Sequence, residues 1–315
     1  MEGTSSVNEK PYISVIVPVF NEEENLPELQ ERLMRSLSQV GKPFEILYVN
    51  DGSTDRTQEI LESFHKRYPN VKVIEFLTNC GQHLAIMKGF EAAKGDIVIT
   101  IDADLQNPPE EIKKLVQKME EGYEIVATYR KDRKDSIFRK IPSYFASVIT
   151  SYLTGVKLRD YGCMLRAYRR NIVEYVNMSS QASTFVPVLA NTFAKKIAEI
   201  EVEHHERKRG KTKYSLFKLL RLNFDIMTNF SMFPIQFIGV MGVAIAAIGL
   251  LFAIFLFIRR LIVGPEVEGI FTLFAILFFF IGVQILALGV IGEYIGRIYM
   301  EVRKRPRYIV KKELL

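Results

Sequence analysis

Cysteine and histidine are scarce in this chain of 315 residues. It has two cysteines, Cys80 and Cys163, and four histidines, none with the spacing of zinc ligands. Two thiols cannot form the disulfide framework of a small secreted domain, and they fit a reducing compartment. The sequence therefore predicts neither a disulfide-stabilised fold nor a structural zinc site.

Two further motifs are missing. Residues 1–10 have neither the basic start nor the apolar core of a signal peptide, and we expect a flexible lead-in there. No glycine-rich phosphate-binding loop occurs, because the stretch NDGSTD at Asn50–Asp55 reads as a turn. A phosphorylated ligand would therefore need a cation to compensate its charge.

The positive charge of the chain is modest and unevenly placed. The net charge is +6, and basic residues concentrate in Glu206–Arg221 and in Arg303–Lys312, next to two long apolar runs. Basic clusters beside membrane segments favour anionic lipid headgroups and the cytoplasmic side. Nucleic acid is the rival partner for a basic tail, and we predict that this protein does not bind it.

Strand and helix patterns alternate over the first 130 residues. Short apolar runs rich in β-branched residues are each followed by a stretch with helical spacing, such as Leu26, Leu29, Leu33 and Leu37. Short connections between such units predict a mostly parallel α/β sheet covered on both faces. The predicted strands include YISVIVPVF, FEILYVN, VKVIEF, DIVITID and YEIVATYR.

Two apolar runs near the C-terminus are long enough to cross a membrane as helices. They are Pro234–Ile258 and Ile270–Ile291, and a buried helical hairpin in a soluble protein is the alternative. We predict five segments: a flexible lead-in (1–10), a cytosolic catalytic domain (11–205), a basic loop with an amphipathic interfacial helix (206–230), a two-span hairpin (231–295) and a basic cytosolic tail (296–315).

Acidic residues follow three of the predicted strands. Asp102 and Asp104 stand one residue apart, and Glu22 and Asp51 follow two neighbouring strands. Ligands of such sheets lie beyond the carboxyl ends of the strands. Hard divalent cations prefer oxygen ligands and bridge carboxylates to phosphates, so the acidic pair predicts a magnesium or manganese site for a diphosphate. The sequence does not distinguish the two metals.

Several motifs together resemble one enzyme family. VIVPVFNEEENL, YVNDGSTDRT, GDIVITIDADLQNPPEEI, GEYIGRIYMEVRKRPRY and the two apolar runs are similar to the membrane-anchored polyprenyl-phosphate glycosyltransferases of glycosyltransferase family 2. The resemblance implies a GT-A fold, a uridine-diphosphate sugar donor, undecaprenyl phosphate as the lipid acceptor, and a homotetramer. It also implies a multi-pass protein of the inner (plasma) membrane with a cytoplasmic catalytic domain.

Within the family, NCGQHLAIMKGF, DYGCMLRAYRR and STFVPVLANTFA look most like the members that transfer 4-deoxy-4-formamido-L-arabinose, a sugar destined for lipid A. Cys80 departs from the aromatic residue usual at that position. Transfer of glucose, mannose or N-acetylglucosamine is the alternative. Processive polysaccharide synthases carry Gln-x-x-Arg-Trp, and this chain has no tryptophan. A membrane scaffold or lipid carrier that binds a nucleotide sugar is the non-enzymatic alternative.

The resemblance carries roles onto matching positions for the donor. Pro18, Glu22 and Asp51 would hold the uridine. Asp102 and Asp104 would hold the metal and the diphosphate, with Asp104 the direct ligand. Gln106 is predicted to lie beside the acidic pair. Arg207, Lys213 and Tyr214 are predicted to belong to a basic loop that closes over the phosphates. The alternative for this loop is a basic patch that faces the membrane.

Asp160 in RDYGCMLR is the residue predicted to lie nearest the nucleophile, where it orients the acceptor or the sugar or serves as a base. A turn cap is its alternative role. Gln82 and His83 contact the sugar or cap a helix, and Arg130 reaches the diphosphate or forms a salt bridge. Three arginines are candidates for the acceptor phosphate: Arg139, Arg166 and Arg169.

Overall fold

The computed structural model describes seven parts of the chain. They are residues 10–130, 158–160, 162–179, 185–203, 233–263, 270–303 and 306–315. The predicted basic loop and interfacial helix at 206–230 lie outside these parts, as do Arg139, His204 and His205. The chain divides into two compact units, one of residues 1–223 with 305–315 and one of residues 224–304.

Strands and helices alternate in the first unit, as the sequence predicts. The elements are β1 Ile13–Val19, α1 Leu26–Val40, β2 Phe44–Asn50, α2 Thr57–Arg67, β3 Val71–Phe76, α3 Gln82–Ala92, β4 Ile97–Thr100, a 3-10 turn Pro109–Glu111, α4 Ile112–Glu120, β5 Ile125–Arg130, β6 Arg166–Arg169, α5 Arg170–Met178, α6 Val186–Phe193, β7 Ile197–Val202 and β8 Val310–Leu314. The second unit contains α7 Phe233–Val263 and α8 Ile270–Val302.

The described strands form one mixed sheet in the order β7-β5-β6-β4-β1-β2-β3-β8. Strands β6 and β8 run against their neighbours, and the other pairs are parallel. The predicted α/β sheet is confirmed, and it is mixed: four of its seven described strand pairs are parallel, among them all the pairs between β1, β2, β3 and β4. Its central strands are buried on both faces because helices cover each side, and β1 is buried along its whole length.

The helices bury the apolar faces that their spacing predicts. In α1, Leu26, Leu29, Leu33 and Leu37 are fully buried in the core under the sheet. Pro at the second helical position of α1 loses no hydrogen bond, because the first N–H groups of a helix have no partner within it. Hydrophobic burial of this stripe therefore fixes α1 against the sheet.

Pro18 lies in the central strand β1, where proline is normally excluded. The pairing of β1 with β4 ends at Ile16 and Thr100, and Ile101 donates its N–H to the carbonyl of Ile16. Pro18 points its missing N–H to the same side, beyond the end of the ladder, so no hydrogen bond is lost. The proline thus marks the point where β1 and β4 separate at the carboxyl edge of the sheet.

The C-terminal segment adds a strand that the sequence analysis does not predict. Strand β8 pairs antiparallel with β3, and the rings of Phe76 and Tyr308 stack with centroids 4.7 Å apart. Lys311 Nζ lies 2.6 Å from Glu75 Oε1. The predicted tail 296–315 is therefore divided: α8 extends to Val302, and the last residues belong to the first unit.

In the second unit, one described stretch is long and apolar enough to cross a membrane. It is Ile276–Gly296 in α8, with a mean hydropathy of 2.2, and its side chains are not buried within the protein. The apolar stretch of α7, Ile235–Gly249, is shorter. The described residues thus provide one such stretch by length and composition, and the second predicted span stays a prediction.

Candidate active site

The acidic pair lies in a strained loop directly after β4. Leu105 has a φ of 59°, a left-handed conformation that is costly for leucine, and it is held by burial at 5% exposure. The backbone N–H of Gln106 donates to Asp104 Oδ1 at 3.2 Å, which closes a turn. Backbone strain of this kind concentrates at functional sites, where the surrounding structure fixes it.

Asp102 is held in an electrostatically unfavourable place. Burial of its carboxyl group and the charge of Asp104 raise its pKa to about 7, and Glu22 adds to this effect. Gln82 Nε2 donates to Asp102 Oδ1 at 2.5 Å and opposes the shift, as does the charge of Arg130. The site therefore concentrates negative charge in a buried place, and both the burial and the neighbouring carboxylates favour the protonated form of Asp102.

This excess of negative charge is what a divalent cation would compensate. Among the described residues, no group of three or more histidine, cysteine, aspartate or glutamate side chains is arranged to enclose a metal ion. Two carboxylates with open coordination positions suit Mg²⁺ or Mn²⁺, which keep waters and take further oxygens from phosphates. Asp102 and Asp104 therefore fit a metal that a diphosphate ligand helps to hold.

Asp51 lies at the end of β2, as predicted, and both of its carboxylate oxygens accept backbone hydrogen bonds. Cys80 N–H donates to Oδ1 at 2.7 Å and Gly81 N–H donates to Oδ2 at 2.8 Å. Asp51 therefore fixes the loop that begins α3, and its predicted contact with uridine stays a prediction. Because Cys80 bonds through its backbone, the departure of its side chain from the family pattern leaves this bond intact.

The loop after β1 is tied to the loop after β2. Asn21, with a φ of 54°, accepts from Thr54 N–H at 2.8 Å and donates its own N–H to Ser53 Oγ at 2.9 Å. Glu22 Oε2 accepts from Asn25 Nδ2 at 2.6 Å and lies close enough to act on Asp102. Glu22 thus lies within electrostatic reach of Asp102, and its predicted contact with the uridine stays a prediction.

Asp160 is buried and forms an ion pair with Arg130. Arg130 Nε and Nη2 donate to its two oxygens at 2.7 and 3.2 Å, and Gly162 N–H donates to Oδ1 at 2.9 Å. Bidentate pairs of this geometry are strong and directional. Arg130 also lies near enough to Asp102 to act on the charge of that carboxylate. For Arg130 the structure has the salt bridge, one of its two predicted roles.

The predicted phosphate contacts of Arg166 and Arg169 are wrong in this structure. Arg166 is fully buried, and its guanidinium donates to the carbonyls of Cys163 and Asp160 at 2.9 and 3.1 Å. Because β6 runs antiparallel to β4, Arg169 lies opposite Ile97, at the far edge of the sheet. There it donates to the carbonyls of Tyr123 and Met119. Strand direction, which the sequence does not show, separates these arginines.

His83 is partly buried at the start of α3, and Phe185 packs edge-on against it with ring centroids 4.9 Å apart. Its Nδ1 is buried without a hydrogen-bond partner. Burial lowers the pKa of the imidazole to about 4. The ring is therefore neutral at physiological pH, and its predicted contact with the sugar stays a prediction.

The shift at His83 predicts acid sensitivity. In the unfolded chain His83 binds a proton as the pH falls below about 6.5, whereas in the folded protein it does so only near pH 4. The free energy of unfolding therefore decreases as the pH falls through this range. We expect this group alone to lower the free energy of unfolding by about 2 kcal/mol between pH 8 and pH 5. Urea titrations at both pH values should show this loss in the wild type and a smaller loss in His83→Leu. Equal losses in both proteins would contradict the prediction. The difference between their free energies of unfolding at pH 8 measures only the effect of the substitution on packing.

Three predicted residues of the basic loop lie outside the described residues, so their roles stay predictions: Arg207, Lys213 and Tyr214. Sequence reasoning missed Glu199, which accepts the N–H of Arg159 at 2.8 Å and that of Asp160. Glu199 stands about 40 positions away in the chain, and the pairing of β7 with β5 brings it there. Its position in an alternating strand gave no signal of this contact.

Comparison with known proteins agrees with this geometry. Residues 14–176 match the family model described as glycosyl transferase family 2. The chain is 50% identical over 303 residues to the undecaprenyl-phosphate 4-deoxy-4-formamido-L-arabinose transferase of Proteus mirabilis, covering 95% of this chain and 93% of the relative. The enzyme of the same name from Shewanella sediminis is 47% identical over 308 residues, with coverage of 96% and 93%.

A solved structure has a similar fold. Glucosyl-3-phosphoglycerate synthase from Mycobacterium tuberculosis, in complex with Mn²⁺, uridine diphosphate and glucosyl-3-phosphoglycerate, superposes with a TM-score of 0.50 at 17% identity, covering 73% of this chain and 84% of that one. The mixed sheet and the acidic edge thus define a nucleotide-sugar transferase fold of the GT-A type. The chain belongs to glycosyltransferase family 2 and is a glycosyltransferase.

Proposed function

We propose that this enzyme transfers a sugar from a uridine-diphosphate donor to undecaprenyl phosphate, with inversion at the anomeric carbon. The observation that carries the proposal is the charge arrangement at the carboxyl edge of the sheet. Asp102 and Asp104 form a carboxylate pair that suits a metal and a diphosphate, and Arg130, which is paired with Asp160, lies within electrostatic reach of Asp102. The names of the relatives support undecaprenyl phosphate as the acceptor, and the Mn²⁺ and uridine diphosphate of the M. tuberculosis structure support a metal and a uridine-diphosphate donor.

The role of the metal follows from the leaving group. When bound, Mg²⁺ or Mn²⁺ would supply the positive charge that stabilises a departing diphosphate. Asp104 and Asp102 would hold it, and Gln82 fixes one oxygen of Asp102. Arg130 stands near enough to the acidic pair to contribute further positive charge on the donor side.

The acceptor needs little help to become nucleophilic. A lipid monophosphate has a second pKa near 6 and is largely ionised at pH 7, so a general base contributes less than it would for a sugar hydroxyl. The larger task is to position the phosphate for in-line attack. We assign this task to Asp160 acting through Arg130: the carboxylate, fixed also by the N–H of Gly162, holds the guanidinium in place, and the guanidinium can attract the phosphate.

The two long helices would anchor the enzyme in the plasma membrane. A helix of 31 residues such as α7 is about 46 Å long, enough to cross about 30 Å of hydrocarbon. Many of the apolar side chains that the structure describes in α7 and α8 are exposed, for example Phe257 at 64% and Leu286 at 66%. Two spans leave the preceding and following basic segments on one side of the membrane, which the positive-inside rule makes cytoplasmic.

The identity of the transferred sugar is the most specific part of the proposed function. Near 50% identity along almost the whole chain to transferases of 4-deoxy-4-formamido-L-arabinose supports that sugar. The test is purified protein in detergent with undecaprenyl phosphate, Mn²⁺ and one nucleotide sugar at a time, followed by mass spectrometry of the lipid. We expect the formamido-arabinosyl product to form fastest. Faster transfer of glucose, mannose or N-acetylglucosamine would overturn the sugar; donor binding without any lipid product would favour a scaffold or carrier.

Gln82 should tune the affinity of the metal site. Residues that hydrogen-bond a metal ligand without contacting the metal themselves typically contribute 10- to 100-fold in metal affinity. We expect Gln82→Ala to weaken Mn²⁺ binding in the presence of uridine diphosphate by about tenfold, measured by the free-Mn²⁺ signal in electron paramagnetic resonance. Gln117→Ala, on the exposed face of α4, is the matched control. Identical Mn²⁺ affinities of the Gln82 variant and the wild type would exclude this role.

A further inference from the structure

The short segment that carries Asp160 is held by its backbone from two sides. Glu199 of β7 accepts the N–H of Arg159 at 2.8 Å and the N–H of Asp160. From the other side, Arg166 Nη2 donates to the carbonyl of Asp160 at 3.1 Å. The peptide groups before and after the Asp160 side chain are therefore both fixed by charged partners.

One of the two charged side chains is fully buried, and the other is partly buried. Arg166 is 0% exposed and also donates through Nε to the carbonyl of Cys163 at 2.9 Å, so it spans the turn from Asp160 to Cys163. Glu199 is partly buried and lies within electrostatic reach of Arg166. Burying charges is costly unless they are paired and hydrogen-bonded. A simple surface turn would not require two charged side chains to hydrogen-bond its backbone.

The direction of the segment depends on this arrangement. Arg159 places its guanidinium over the ring of Tyr129, 4.8 Å from the centroid, while the next residue turns its carboxylate toward Arg130. Consecutive side chains thus diverge, one over β5 and one into the site. Fixing the peptide between them determines where the Asp160 carboxylate lies.

We infer that Glu199 is a positioning residue that acts together with Arg166, through the backbone of Asp160, to hold the Asp160 carboxylate in its reactive place. The inference rests on the proposed function, in which Asp160 orients the acceptor phosphate. A displacement of about 1 Å at such a group can lower the rate about 100-fold.

The experiment is a double-mutant cycle between Glu199→Ala and Asp160→Asn, with transfer to undecaprenyl phosphate as the readout. We expect Glu199→Ala to lower kcat by about 30- to 100-fold while the KM for the donor changes less than threefold. In the Asp160→Asn background the same change should cost less than twofold, because the group it positions is already altered. A similar loss in both backgrounds, or no loss in either, would overturn the inference.

Two further measurements keep the test decisive. Glu199→Gln retains one acceptor oxygen and should recover part of the lost kcat, also if the alanine variant folds poorly. Hydrogen exchange of the peptide covering Leu158–Asp160 should quicken in Glu199→Ala, and unchanged protection would contradict the proposed contact. Glu201→Ala is the matched control, since Glu201 lies two positions along β7 and its Oε2 accepts a hydrogen bond from Tyr129 Oη at 3.3 Å.

The cycle also separates the two levels of the proposal. If the wild type forms no glycolipid with any donor, the proposed function fails. If the wild type is active and Glu199→Ala matches it, only the positioning role fails.

Discussion

Replacing Asp104 by asparagine is expected to lower kcat for sugar transfer by about 10²- to 10³-fold, the size of effect seen when one group that stabilises a developing charge is removed. Asparagine keeps the shape of the side chain and the acceptor for the N–H of Gln106, which lies 3.2 Å from Asp104 Oδ1. It removes the negative charge that would hold Mg²⁺ or Mn²⁺. The loss should therefore appear in metal-dependent catalysis while the fold persists.

The measurement is the initial rate of glycolipid formation after chelator treatment and stepwise return of Mn²⁺. The wild type should lose activity with the chelator and regain it with the metal, whereas Asp104→Asn should stay low. Asp96→Asn is the control, because Asp96 precedes the same strand, is half exposed and bonds to Lys10 at 2.7 Å. Full activity of folded, metal-free enzyme would refute the metal site. Normal glycolipid formation by Asp104→Asn would favour a different ligand for the metal.

Asp160→Asn should lower kcat by about 10²-fold, because it removes one charge of a buried ion pair at the place assigned to the acceptor. The amide cannot accept both hydrogen bonds from Arg130, now 2.7 and 3.2 Å long, with the same charge assistance. The guanidinium would then be drawn toward the acidic pair. We expect the KM for the acceptor to rise while donor binding is retained.

The pH profile separates positioning from base catalysis. The acceptor phosphate is ionised above about pH 6, so a positioning role predicts that wild type and Asp160→Asn have profiles of the same shape between pH 7 and 9. A base role predicts that the variant alone changes shape, since its remaining rate would depend on hydroxide. Wild-type kcat in Asp160→Asn would remove Asp160 from the mechanism altogether.

Local sequence patterns predicted the strands and helices of the core and the acidic residues at the carboxyl ends of the strands. Alternation of apolar strands with helical spacing predicts the parallel core, because each element must bury an apolar face against its neighbour. The same pattern places Glu22, Asp51 and the acidic pair at the carboxyl ends of strands, and the structure puts Glu22 within electrostatic reach of Asp102. These inferences needed only periodicity and the common direction of parallel strands.

The sequence by itself determined the family, the order of strands and helices over the first 130 residues and the acidic edge, since these depend on residues close together in the chain. Only the tertiary structure decided the pairing of Arg130 with Asp160, the burial of Arg166 and the contact of Glu199 with the Asp160 backbone. Each depends on strand direction or on pairing between distant segments: β6 runs antiparallel, and β7 joins β5 across more than 60 positions. Such non-local contacts leave no periodic trace in the chain, because the free energy that selects them comes from packing the whole sheet.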